Sequence, residues 1–449
     1  MINRLRGRRA SLLGVLSLVG GLVVGSASPA AASGPNIVSE WNLIAENTVV
    51  PSGAAQIEAL IYLSYTQLAV YDAVVAIKGG YEPYGNAIQA PAGASVKAAV
   101  VQAAYATLDH YFPGSHAALL ASRTTSLGLI PDGASETNGI AVGQAAADQI
   151  IGMRAGDGRQ YPPYGGTSSF PLKAAGPGVW RLTPNAAGAY PDAQIPWAGD
   201  VAPFVTASGD QFRPAPPPSL SSDAWVADFN EIKLMGKVDS PVRTATQTGI
   251  ARFYTANVPR QWNVLVRDIA AAKGLSVLRT ARLAAMINTV GADAGIAVMN
   301  AKYHFLFWRP VTAIDPTAIK PGGDGFGPVP GFDDGNPATV EQPGWRPLIP
   351  TPNHPEYPAA HGTITSAIAE VLTQFLGTSK IDVDIRGADS ATNNLNRTRH
   401  FDKANQLRAD IINARLWGGV HYRTSTEAGV ELGRSVAKYD LKHAFEAVP

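Results

Sequence analysis

The chain has 449 residues, 46% of them hydrophobic and 16% charged, with a formal net charge of +1 and no cysteine. This composition supports a large buried core and excludes a mostly disordered chain. The near-zero charge gives no pull towards nucleic acid, and the absence of thiols excludes disulfides, thiolate catalysis and cysteine-ligated metals.

Residues 1–32 read as an export signal. Arg4, Arg6, Arg8 and Arg9 form a basic head, Ser11 to Val24 an apolar stretch, and Ala30-Ala31-Ala32 a small-residue cleavage site. Arg8-Arg9 followed by Ser11-Leu12-Leu13 fits a twin-arginine signal as well as an ordinary secretory one. The apolar run is short for a membrane anchor, and no later run is expected to reach transmembrane length. A secreted protein with no membrane segment after cleavage is therefore expected, at a net charge of −3.

Beyond the signal, helical periodicity marks 54–77, 95–112, 133–154, 222–235 and 244–254. It continues over 279–308, with a bend expected at Gly291 or Gly295, and then over 362–376, 398–417 and 426–443. Strand signals are few and short. The class is mainly α, with a bundle-like core and long Pro/Gly-rich loops at 161–218 and 316–358. Loops of that length usually cover a ligand or simply cross the surface. The mature chain divides into an N-terminal helical region, 33–275, and a second helical region, 276–449, that carries the chemistry described next.

Three short blocks hold that chemistry. Lys302 and Arg309, seven apart, would share one face of a helix that Pro310 stops. In Asn353-His354-Pro355-Glu356-Tyr357-Pro358-Ala359-Ala360-His361-Gly362, His361 opens a helix whose first amides favour an anion. In Arg415-Leu416-Trp417-Gly418-Gly419-Val420-His421-Tyr422-Arg423, the glycine pair offers a break that returns His421 beside Arg415. Thr424 or Ser425 would then cap the next helix. Each block alone is equally compatible with a solvated face, a cap or a structural helix-turn-helix. Together they supply three cations and two imidazoles, a set suited to a tetrahedral or trigonal-bipyramidal oxyanion rather than to a divalent cation.

The blocks resemble the signature of the vanadium haloperoxidase and type 2 phosphatidic acid phosphatase superfamily: Lys-x6-Arg-Pro, Pro-Ser-Gly-His, and Ser-Arg-x5-His-x3-Asp. Here they read Lys302 to Arg309-Pro310, Pro358-Ala359-Ala360-His361, and Ala414-Arg415 to His421. Gln67 to Val74 is similar to the N-terminal helical region of bacterial haloperoxidase-like members. The resemblance implies that Lys302, Arg309, Arg415 and the amide near Ala360 hold vanadate oxygens. It implies His421 as the axial ligand to vanadium and His361 as the acid/base. His354 falls where some bromide-oxidising members carry an extra histidine. The chain departs from the pattern at Ala359 and Ala360, which stand for Ser and Gly. It departs again at Ser425, which stands for the Asp that partners the axial histidine. Tyr422 and Arg423 are candidates to replace lost donors.

The implied function is a vanadate-dependent haloperoxidase, with hydrogen peroxide, halide and a small organic molecule as reactants. The alternatives are an acid phosphatase, taking phosphate at the same site and forming a phosphohistidine at His421, and a catalytically weak oxyanion-binding protein. The resemblance allows an oligomer, but no interface stripe marks one.

Overall fold

Thirteen α-helices and one two-stranded hairpin form the described part of the chain, residues 36–159, 170–183, 191–315, 333–389 and 394–448 of a computed structural model. The segment expected to be an export signal and parts of both long loops lie outside these residues. The helices are α1 (Ile37–Val49), α2 (Gln56–Lys78), α3 (Val96–Tyr111), α4 (His116–Leu127), α5 (Ala134–Met153), α6 (Asp223–Met235), α7 (Ala245–Phe253), α8 (Val258–Ala272) and α9 (Val277–Phe305). After them come α10 (Pro310–Ile314), α11 (Ala360–Leu376), α12 (Ala404–Trp417) and α13 (Arg423–His443). Strands β1 (Val383–Gly387) and β2 (Arg397–Phe401) pair antiparallel, with Val383 opposite Phe401.

The bundle is built around α9, which α2 flanks on one side and α11 and α13 on the other; α3 and α5 stack behind α2. Both α2 and α9 are apolar almost all round, which is the pattern of a helix buried on every face. By length and composition both could cross a membrane, contrary to the sequence expectation that no later run would. Here 89% and 94% of their apolar windows are buried inside the fold. Helix α9 runs unbroken from Val277 to Phe305 through Gly291 and Gly295. They let it approach its neighbours: a Cβ on Gly295 would stand 2.8 Å from Ile57 Cγ2.

Side-chain caps start the helices where the sequence places them. Ser95, Ser222, Thr244 and Ser276 each accept a backbone N–H from the first turn. Helices α1, α4, α8 and α10 fall outside the expected helical segments. The segment expected to be helical from residue 398 begins instead as β2, and α12 starts only at Ala404. The expected cap by Thr424 or Ser425 is also absent. Tyr422 is the N-cap of α13, without a side-chain bond. Thr424 Oγ1 donates to Asp228, and Ser425 Oγ donates 3.4 Å to the Glu356 carbonyl.

Helices α11 and α13 meet through glycines, which fixes where the start of α11 sits. A Cβ on Gly429 would lie 2.6 Å from the Ala359 carbonyl, and one on Gly433 only 1.9 Å from that of Thr363. Both obstacles are backbone, so neither can rotate away. Gly433→Ala is expected to destabilise the protein by about 3 kcal/mol, the upper range for overpacking. Thermal unfolding checks this, and a midpoint unchanged within error would show that the two helices have slack.

Candidate oxyanion site

Helix α9 delivers Lys302 from its last turn and then stops at Leu306. That residue takes left-handed backbone angles and bonds its N–H to the Lys302 carbonyl at 2.9 Å. The chain then runs extended. Leu306 O accepts Trp180 N–H at 2.7 Å, and Phe307 O accepts Glu356 N–H at 2.9 Å. Arg309 follows as the N-cap of α10, with Pro310 in that helix's first turn. Lys302 and Arg309 are therefore not on one helix face, and Pro310 begins a helix rather than ending one. A change of direction at Leu306, not a shared stripe, brings the two side chains together.

Lys302 is fully buried, and its Nζ donates to the carbonyls of Pro355 and Glu356 at 2.7 and 2.9 Å. Arg309 is equally buried. Its Nε donates to His354 O at 2.9 Å, and one terminal nitrogen donates to Val420 O at 2.7 Å and to His421 Nε2 at 3.1 Å. The other terminal nitrogen donates to His354 Nδ1 at 3.0 Å. Arg415 arrives from the last turn of α12. It is 2% exposed, and its Nε has no hydrogen-bond partner among the described residues.

The Gly418-Gly419 break forms as expected. Gly419 takes φ +76°, and a Cβ there would stand 2.4 Å from Gly236 O. The turn brings His421, 1% exposed, onto the cluster. His361 is the second residue of α11 and partly exposed. The first intrahelical bond of α11 runs from Thr363 N–H to Ala359 O, so the amides of Ala360, His361 and Gly362 have no partner within the helix. Ala359 gives its own N–H to Ser425 O at 3.1 Å.

One residue escaped the sequence reading. Glu356 Oε1 lies 2.9 Å from His421 Nδ1 and accepts Tyr422 N–H at 3.1 Å. A guanidinium can only donate, so His421 Nε2 accepts from Arg309. The ring proton then sits on Nδ1, donated to Glu356. The imidazole thus presents a lone pair on Nε2 to the cations. Of the two candidate replacement donors, Tyr422 keeps a buried hydroxyl with no hydrogen-bond partner among the described residues, while Arg423 is engaged elsewhere. The Tyr422 ring packs edge-on against Trp225, 5.1 Å away, and Arg423 pairs with Glu231 at 2.6 Å.

The segment from Asn353 to Glu356 organises the rest. Besides the bonds above, Asn353 O accepts Gln194 N–H at 2.8 Å and its Oδ1 accepts Thr183 N–H at 3.0 Å. The described part of the first long loop is thereby pinned beside the site. Tyr357 hydroxyl, donating 2.7 Å to Ala215 O, adds a second tie.

Electrostatically the cluster is strained by excess positive charge. Burial, and then the neighbouring Arg309, push Lys302 well below its ordinary range. Burial pushes Arg309 down to about 10, and burial with Arg309 pushes Arg415 down to about 9. His354, His361 and His421 are all held neutral, by burial first and the cations second. Burial raises Glu356 to about 7, although Lys302 and Arg309 oppose it. Three buried cations thus face one carboxyl group. A bound anion would remove that imbalance and give Arg415 Nε and the α11 amides an acceptor. On its donor set, the site fits an oxyanion such as vanadate or phosphate.

Comparison with known proteins agrees with this geometry. The family model for the VCPO second helical-bundle domain matches residues 282–448, a stretch containing Lys302, Arg309, His354, Glu356, His361, Arg415 and His421. Vanadium chloroperoxidase of Curvularia inaequalis is 26% identical over 276 residues, which cover 49% of this chain and 44% of that protein. The chain thus spans less than half the length of that relative. A bacterial vanadium-dependent iodoperoxidase structure shares the fold with a TM-score of 0.72 at 21% identity, over 91% of this chain and 95% of the other. An apo-type bacterial vanadium-dependent chloroperoxidase superposes with a TM-score of 0.65 at 17% identity, over 88% and 95%. Residues 282–448 thus match the VCPO second helical-bundle domain, and the helical fold shared with the vanadium haloperoxidase structures extends over most of the chain.

Proposed function

We propose that this protein is an exported, vanadate-dependent haloperoxidase that oxidises halide with hydrogen peroxide. One observation carries the reading: three buried cations and a neutral histidine whose unprotonated Nε2 faces Arg309 converge near the first amides of α11, which have no partner within the helix. Relatives named as vanadium chloroperoxidase and iodoperoxidase support it, as does the basic-headed apolar leader for export.

Lys302, Arg309, Arg415 and the amide of Ala360 would hold the vanadate oxygens, with His421 Nε2 on the metal. The chemistry supplied by bound vanadate is Lewis-acid activation of hydrogen peroxide for two-electron oxidation of halide. This chain's own residues do the rest. The cations neutralise charge in a water-poor site, where each is worth more than in bulk water. His361 is neutral and the more exposed of the two core imidazoles, so it can take up and release a proton at the solvent side. Conversion of halide and peroxide to hypohalous acid and water consumes one proton, and His361 is placed to supply it. His354, bonded to Arg309, would tune that arginine and bear on the halide taken.

The test is to load purified protein with vanadate, then assay bromination of a phenolic dye with peroxide and, separately, hydrolysis of a phosphate ester. Bromination that requires vanadate is expected. Ester hydrolysis that vanadate inhibits, without bromination, would transfer the site to the phosphatase reading.

A further inference from the structure

Ser425 stands where the superfamily pattern places the carboxylate partner of the axial histidine, yet His421 does not lack one. The carboxyl group comes from a different part of the chain. Glu356 lies 65 residues before His421, in the loop that precedes α11, and its Oε1 meets His421 Nδ1 at 2.9 Å. Both groups are fully buried: His421 is 1% exposed and Glu356 0%. We infer that Glu356 is the positioning residue of this site, a carboxylate relocated from the start of α13 to the α11 loop, which holds His421 with its Nε2 lone pair towards the bound oxyanion.

Four observations support the relocation. The carboxyl oxygen that meets the imidazole also accepts the Tyr422 amide at 3.1 Å, so it grips both the ring and the backbone next to it. The backbone carbonyl of the same residue accepts Lys302 Nζ at 2.9 Å, which couples the positions of the histidine and the lysine. Ser425 is itself buried and donates 3.4 Å to Glu356 O, while Glu356 Oε2 beside it has no hydrogen-bond partner among the described residues. A carboxylate at position 425 would therefore occupy the same space, and two acids there would repel each other. Finally, Arg309 fixes the other ring nitrogen as an acceptor, so only an acceptor at Nδ1 completes the pattern. Small Ser425 and acidic Glu356 form one exchanged pair. Outer-shell partners of this kind set the tautomer and basicity of a metal-binding histidine.

This inference rests on the oxyanion reading of the site, and its test separates the two. The first readout needs no vanadate: nitrogen NMR of the His421 ring in full-length protein. The free wild type should show Nδ1 protonated and Nε2 bare, and E356A should lose that single tautomer. The second readout is vanadate affinity by calorimetry. E356A is expected to lose about 10- to 100-fold. E356A/S425D should recover to within about threefold of wild type and restore the tautomer, while E356A/S425N should not. Circular dichroism and melting curves establish that each variant folds. A folded E356A that keeps both the tautomer and the affinity overturns the inference, as does failure of S425D to restore either. If no variant, wild type included, binds vanadate, the functional reading falls, and the tautomer comparison still decides the role of Glu356.

Discussion

His421→Ala is expected to abolish vanadate-dependent halide oxidation, with a loss of at least about 100-fold. Removing an outer-shell partner of a metal ligand costs about 10–100-fold in metal affinity, and removing the ligand itself should cost more. The cations around it cannot take its place. The Nε2 lone pair is the single acceptor that His421 turns towards the cations, and Arg309, Lys302 and Arg415 have donors only. The substitution also leaves the buried Glu356 carboxyl group without its imidazole donor. His421→Gln, closer in volume, should lose as much. Steady-state bromination with peroxide at saturating vanadate measures the loss. Activity within tenfold of wild type would remove His421 from the site.

The second large effect has two opposite signs. Arg415→Met is expected to stabilise the free protein while destroying oxyanion binding. Arg415 is 2% exposed, its Nε is unbonded, and burial with repulsion from Arg309 pushes its pKa down to about 9. Folding the free chain therefore buries a charge that no described residue compensates. A methionine fits a helix interior and removes that cost, so a gain of about 1–4 kcal/mol is expected, as when buried charges give way to apolar residues of similar volume. With the oxyanion bound the balance reverses, because the guanidinium then makes charge-assisted hydrogen bonds worth about 1.5–3 kcal/mol each. Melting curves with and without vanadate measure both signs. The wild-type midpoint should rise with vanadate, and the Arg415→Met midpoint should start higher and stay flat. A variant that melts lower than the free wild type would mean that Arg415 is structural.

The site was legible in the sequence to the extent that its groups fall in short, fixed blocks. Lys302, Arg309, His361, Arg415 and His421 meet in space because α9, α11 and α12 end or begin beside one another. Their local structure was less legible. A spacing of seven between Lys302 and Arg309 equals two helical turns, so periodicity could not reveal the left-handed break at Leu306. Glu356 lies in a Pro-rich loop with no period, and its role depends on a contact across 65 residues. The only signal for it was an acid inside the block that carries His361, in a chain lacking the expected acid at 425. Strand β2, Arg397-Thr398-Arg399-His400-Phe401, has one apolar residue, so nothing in its pattern separates it from the helix after it. Helix α8 does carry an apolar stripe, Val258, Trp262, Leu265, Val266 and Ile269. Pro259 reads as a break in sequence, but in the first turn of a helix it costs nothing.

The claim on which the rest depends is that these side chains form one oxyanion site. The most direct measurement is a calorimetric titration of the purified wild-type protein with vanadate, repeated for His421→Ala and Arg415→Met. The expected result is one vanadate per chain in the wild type, competed by phosphate, with affinity lost in both variants while they stay folded. Vanadate binding of equal strength in all three proteins would contradict it.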